Sequence, residues 1–240
     1  MEALGWGALA ASSLLIGAAL AFARPWTPGM IGVVLAFGVG ALISAVSFEL
    51  AEEGLAVGSA GSLGAGLAAG ALTYYLLDGM IARHTDTGHG RPGRRSGERA
   101  GQGLALGAFL DGVPEQLVLG IGLASGEAVS IALLVAIFVS NLPEGVGSAS
   151  DMASAGRPRS EVLRLFGGVS VVCAAATVLG YAVADAISGE LEAFVDGFAA
   201  GALLVMLIDS MAPEALARGG RRAGLVTVLG FALATALSKL

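Results

Sequence analysis

Stretches of about 20 apolar residues follow one another along almost the whole chain, near residues 4–23, 29–51, 57–80, 102–125, 128–150, 162–185, 193–216 and 222–239. At 1.5 Å per residue, ~20 helical residues cross the hydrocarbon core of a bilayer. Inside that core every backbone N–H and C=O must be satisfied by the chain, so a spanning segment is a helix or part of a closed barrel. Barrel strands alternate in polarity at every second residue, and these runs do not. The sequence therefore predicts an all-α polytopic membrane protein with eight transmembrane helices, one transmembrane domain over residues 1–240. A soluble fold is excluded: charged residues are only 13% and mean hydropathy is +0.81, which would leave far too much apolar surface in water. The first run has no basic stretch before it and no convincing cleavage site after it, so it reads as a retained span.

The basic residues set the expected orientation. Arg24 follows the first run, and Arg83, Arg91, Arg94, Arg95 and Arg99 surround the connection after the third. Arg157, Arg159 and Arg164 follow the fifth, and Arg218, Arg221 and Arg222 the seventh. Only Lys239, of 13 basic residues, falls on the other side. Positive charge collects on cytoplasmic loops, so both termini are expected outside, in a plasma (inner) membrane protein with a flexible cytoplasmic loop over 84–101. The opposite face carries Glu2, Glu52, Glu53, Glu127, Glu190 and Glu192, an acidic rim that enriches cations.

The chain also repeats itself. Phe37 to Gly58 aligns without gaps with Phe198 to Gly219, at an offset of 161, with nine of 22 positions identical, among them Gly40/Gly201 and Glu53/Glu214. The two segments cross the membrane in opposite directions in the eight-span reading. Inverted repeats with a site between them are the architecture of secondary transporters. Spans 1–3 and 6–8 are then the related halves, with spans 4 and 5 as a central pair.

Those central spans carry the chemistry. Each holds a proline-glutamate step within an apolar run: Asp111-Gly-Val-Pro114-Glu115 and Ser140-Asn141-Leu-Pro143-Glu144. A carboxylate at bilayer depth costs about 3 kcal/mol or more, which marks it as functional. Proline frees the carbonyl four residues back, here those of Leu110 and Val139. Asp111 and Glu115, like Ser140 and Glu144, are four apart and share a helix face, and Asn141 lies three before Glu144. If the spans pack face to face, three carboxylates, an amide, a hydroxyl and freed carbonyls converge, a hard oxygen set suited to a divalent cation. The competing reading makes the prolines simple kinks. Glu49 and Asp209, within about two turns of a helix end, and Glu214, at the end of the seventh run, are candidate pathway residues, with snorkelling or a solvated helix end as the competing reading. The single Cys173 permits no internal disulfide and reads as a packing residue, and the only histidines, His84 and His89, fall in the 84–101 loop.

The two Pro-Glu motifs resemble the ZIP family of metal-ion transporters, whose fourth and fifth helices carry motifs of the form His-Asn-x-Pro-Glu-Gly and His/Gln-x-x-Pro-Glu-Gly. The segment FAAGALLVMLIDSMAPEA is similar to that family's seventh helix, and the long connection after span 3 stands where the family has its variable cytoplasmic loop. The resemblance implies eight spans, termini outside, and bridging roles for Glu115 and Glu144 with Asn141 as a ligand. Asp111 stands where His is usual, Gly112 for Asn, Gln116 for Gly, and Ser140 for His or Gln. Thr177 falls near the position of the family's sixth-helix glutamate and is a further candidate pathway residue.

The expected function is thus divalent metal-ion transport toward the cytoplasm, through a site of Asp111, Glu115, Ser140, Asn141 and Glu144. The cargo is Zn²⁺, Mn²⁺ or Fe²⁺, and the partners are the lipid bilayer, the metal ion and a second copy of the chain as a homodimer. The alternative is a degenerate family member, a non-transporting metal-binding or scaffold membrane protein. An intramembrane enzyme is disfavoured because no HExxH or comparable arrangement occurs in any span. Nucleic-acid binding is disfavoured too, since topology accounts for the basic loops and the aromatics form no stacking set.

Overall fold

The computed structural model describes residues 2–24, 26–86, 112–124, 131–154, 156–187 and 189–237, and among them all regular structure is helical. The helices are α1 (Glu2–Ala21), α2 (Pro28–Val57), α3 (Ala60–Asp86), α4 (Gly112–Ala124), α5 (Ile131–Ser154), α6 (Arg159–Val183), α7 (residues 190–219) and α8 (Ala223–Leu237). Six runs among the described residues are long and apolar enough to cross a membrane. One of them, Glu190–Leu237, contains both α7 and α8. Its 48 residues would measure about 72 Å if straight, more than twice a bilayer core. It is interrupted at Gly220, where φ is 59°, a conformation that glycine reaches without steric cost. α4 is shorter than a span, and the beginning of the run expected at 102–125, like Asp111, lies outside the described residues.

Local sequence fixes the helix ends. Thr27 caps α2 by accepting a hydrogen bond from the Met30 N–H at 3.3 Å, with Pro28 at the first helical position, where its missing N–H costs nothing. α2 does not stop near residue 51 as expected. It passes through a π-helical turn at Val46–Ala51, runs through Gly54 and continues until Gly58. Ser59 starts α3: its hydroxyl accepts from the Ser62 N–H at 3.2 Å and donates to Glu190 at 2.6 Å. That second bond ties the α2–α3 turn to the start of α7. α3 runs on to Asp86, so the first residues of the loop expected over 84–101 are helical, and the remainder of that loop lies outside the described residues.

Glycines decide which helices meet backbone to backbone. A Cβ on Gly40 of α2 would lie 1.9 Å from the Thr227 carbonyl oxygen of α8, and one on Gly230 would lie 2.1 Å from that of Phe37. α3 and α7 meet likewise: a Cβ on Gly201 would lie 2.1 Å from the Leu67 oxygen, and one on Gly70 would lie 1.9 Å from that of Phe198. In lipid, where apolar side chains gain nothing by leaving solvent, such close approach is the main source of helix association. Gly40 and Gly201 are the residues paired by the sequence repeat. So are the π turns, Val46–Ala51 and Leu207–Met211, which begin 161 residues apart.

A second set of crossings gathers the remaining helices. Gly17 of α1 and Gly145 of α5 meet the carbonyls of Leu142 and Leu14, at 2.2 and 2.5 Å from their would-be Cβ atoms. Gly120 of α4 and Gly180 of α6 meet those of Thr177 and Leu117, each at 2.1 Å. The buried Ser170 hydroxyl of α6 donates to the Ala11 carbonyl of α1 at 2.9 Å, closing this group, and α2 packs along α5.

Candidate functional site

Both Pro-Glu motifs abut the same residue of α1. Leu14 Cδ1 lies 4.0 Å from the Cβ position of Gly112, which follows Asp111 in sequence, and the Leu14 carbonyl lies 2.5 Å from that of Gly145, which follows Glu144. The contact with Leu14 is made by the start of the α4 motif; Gln116, at its other end, is bonded to Thr177, which lies 2.7 Å from the Cβ position of Gly7, two turns back along α1. Glu115, Ser140 and Asn141 are each only 2% exposed, while Glu144 is half-buried. Burying a carboxylate in a helical membrane bundle is costly unless a cation or proton accompanies it.

The α5 motif is arranged to leave oxygen atoms available. The Ser140 hydroxyl donates to the Ile137 carbonyl at 3.0 Å, so its own lone pairs remain free to accept. Pro143 has no N–H to give Val139, whose carbonyl oxygen lies 3.5 Å from the Cβ position of Gly38 on α2. The same glycine makes room for the Met211 methyl, 2.7 Å from that position, beside the Ser140 Cα. Asn141 Nδ2 is buried with no hydrogen-bond partner among the described residues. Rotating that amide exchanges its nitrogen for an oxygen, a group able to face a cation.

The described acids of the expected site are Glu115 and Glu144; Asp111 lies outside. Among the described residues no group of three or more His, Cys, Asp and Glu side chains is gathered closely enough to hold a metal ion. Cys173 is fully buried, with its sulfur 2.7 Å from the Cβ position of Gly112. One turn along α6, Thr177 donates a 2.5 Å hydrogen bond to Gln116 Oε1, and Gln116 Nε2 is buried without a partner among the described residues. Thr177 and Gln116 are two positions where the chain departs from the ZIP pattern, and they face each other.

The acids expected along a pathway are spread over the bundle. Glu214 Oε1 lies 3.8 Å from the Cβ position of Gly147 on α5 and 3.0 Å from an Arg218 guanidinium nitrogen. Glu49 is half-buried in the π turn of α2, and Asp209 is exposed in the π turn of α7, in a groove shared with α3. The structure adds one acid that the sequence reading passed over. Asp196 of α7 is 6% exposed, its Oδ2 is 3.5 Å from the Cβ position of Gly54, and Glu53 and Glu192 are its charged neighbours. The signal was available, since Asp196 is the one acid between Ala193 and Met206.

No family model matches the chain. Among curated proteins it is similar to one from Arabidopsis thaliana named "Putative zinc transporter", with 28% identity over 203 residues. The match covers 83% of this chain and 32% of the plant protein, so the chain spans about a third of that relative's length.

Proposed function

We propose that this chain is a ZIP-type carrier that moves a divalent metal ion across the plasma (inner) membrane toward the cytoplasm. The observation that supports the reading is the burial of Glu115, Ser140 and Asn141 inside the bundle, with Gly112 and Gly145, in and beside the two Pro-Glu motifs, both against Leu14. Glu115 and Glu144 are the central ligands, Asp111 a third carboxylate, and Asn141 and Ser140 neutral oxygen donors completing the shell. The plant relative named for zinc transport supports a transition-metal cargo and a carrier rather than an enzyme. The preponderance of hard oxygen donors extends that cargo to Mn²⁺ and Fe²⁺.

The architecture in this reading has eight crossings, with α7 and α8 passing separately and α4 completing a span. Its halves, α1–α3 and α6–α8, are inverted relatives around α4 and α5. The matched glycine crossings and the matched π turns support this arrangement. Both termini then face outside and the basic loops face the cytoplasm.

Metal flux into proteoliposomes tests the function. The purified chain is expected to take up Zn²⁺ or Mn²⁺, and Glu115→Gln and Glu144→Gln each to abolish uptake without loss of helical content or insertion, since Gln is isosteric and cheaper to bury. Glu49→Gln and Asp209→Asn are expected to lose less. If both central variants transport like wild type, the Pro-Glu steps are only kinks. Metal binding without flux would mark a non-transporting metal-binding protein instead.

A further inference from the structure

The arginines of the basic face fall into two kinds. Arg157 holds Glu161 and Arg218 holds Glu214, each pair within one helix. Arg24 and Arg159 are exposed and make no ion pair among the described residues. Each lies instead over an aromatic ring: Arg24 is 4.2 Å from the centre of Trp26, and Arg159 is 5.7 Å from that of Phe22. Both rings belong to the connection between α1 and α2. The Trp26 indole N–H donates to the Leu20 carbonyl at 3.1 Å, where α1 runs out of intrahelical donors, so the ring beneath Arg24 is itself tied down. Arg159 comes from another helix. α6 runs antiparallel to α1, with Thr177 against Gly7 and Ser170 bonded to Ala11, and about three turns further along each chain segment that register brings Arg159 to Phe22.

Arg159 is the first residue of α6, where a cation opposes the helix dipole, and the acid of that turn, Glu161, is engaged by Arg157. Two guanidiniums from two different segments thus stand together at the end of a helix crossing, positioned by rings and not by carboxylates. Such a pair is suited to an anion with several acceptor oxygens. Depth points to the source of that anion. Arg24 and Arg159 flank the ends of two apolar spans, and a tryptophan at such an end sits at the level of the lipid headgroups. We propose that the α1–α6 junction binds an anionic phospholipid, phosphatidylglycerol, whose phosphate accepts from the guanidinium groups of Arg24 and Arg159. Charge complementarity selects this occupant. The ammonium of phosphatidylethanolamine is repelled by the two arginines, and phosphatidylglycerol carries no cation.

Native mass spectrometry of the full chain in mild detergent, with phosphatidylglycerol and phosphatidylethanolamine added at equal acyl composition, tests this. The wild type is expected to retain phosphatidylglycerol about tenfold over phosphatidylethanolamine, the difference one charge-assisted hydrogen bond makes. Arg24→Gln and Arg159→Gln should each cut that preference severalfold and together remove it, with helical content unchanged because both side chains are exposed. Arg221→Gln takes the same charge from the same face, at an exposed residue that lies over no ring among the described residues, and should leave the preference as it was. Equal retention of the two lipids by the wild type, or an unchanged preference in the double variant, overturns the proposal. So does a loss in Arg221→Gln as large as that in Arg159→Gln, which would mean diffuse surface charge and no site. Displacement of the lipid by inorganic phosphate at equal concentration overturns it as well, since the ligand would then be a soluble anion.

Discussion

Thr177 of α6 and Gln116 of α4 hold each other at 2.5 Å where both side chains are fully buried, at the crossing where Gly120 and Gly180 bring the two helices together. Two residues that look like separate departures from a family pattern are one interaction. Gln116 is turned onto α6 by this bond.

Thr177→Val keeps the shape and removes the donor. Gln116 would then be buried with both ends of its amide unsatisfied, at a cost of about 1–3 kcal/mol. Thermal unfolding in detergent should show the loss, and an unchanged melting temperature would mean the pair contributes nothing.

The backbone crossings set a second expectation. Valine at Gly40 or Gly201 would drive its Cβ to 1.9 or 2.1 Å from a carbonyl oxygen, so the helices must separate, costing on the order of 3 kcal/mol or more. Gly64 has open space around it, and Gly64→Ala should be neutral or stabilising by about 0.5–1 kcal/mol. Folded yield by size exclusion checks the contrast. Equal behaviour of the three variants would remove the glycines from the packing argument.

Orientation is testable because Cys173, the only native thiol, is fully buried and gives little background. An impermeant reagent added outside should modify Leu191→Cys, beside the acidic rim, and miss Ser160→Cys, between Arg159 and Arg164. The reverse pattern would invert the topology, and labelling of both would undermine the count of eight crossings.

Carboxylate, amide and hydroxyl oxygens select harder ions than imidazole does, although Zn²⁺ keeps its general advantage in affinity. Mn²⁺ uptake should therefore survive equimolar Cd²⁺ in a competition assay. Suppression of Mn²⁺ uptake by Cd²⁺ at concentrations orders of magnitude lower would show that a soft ligand dominates.

Much of the helical framework was legible because apolar runs in a membrane protein report directly on spanning helices. The runs read at 4–23, 162–185 and 222–239 correspond to α1, α6 and α8 within a few residues. The break at Gly220 was readable too, from Gly-Gly followed by Arg-Arg. The extension of α2 to Val57 was not, since Glu52 and Glu53 looked like the end of a span, and a π turn has no residue signature. Burial of Asp196 and the contact of Glu214 with α5 depend on which helices become neighbours, and one sequence without its packing does not say. At the site, Glu115, Ser140 and Asn141 are buried inside the bundle. The approach of Gly112 and Gly145 to Leu14 depends on two helix crossings that spacing alone does not reveal.

The π turns at Val46–Ala51 and Leu207–Met211 bear on what changes of length the gene can sustain. Losing one codon from an uninterrupted helix turns everything beyond it by about 100° and exposes its inward face to lipid. A π turn already contains one residue more than an α turn. Deleting a residue there tightens the turn to α and leaves the rest of the helix facing as before. α2 and α7 each contain one such place, 161 residues apart, where a deletion subtracts a bulge and not a register.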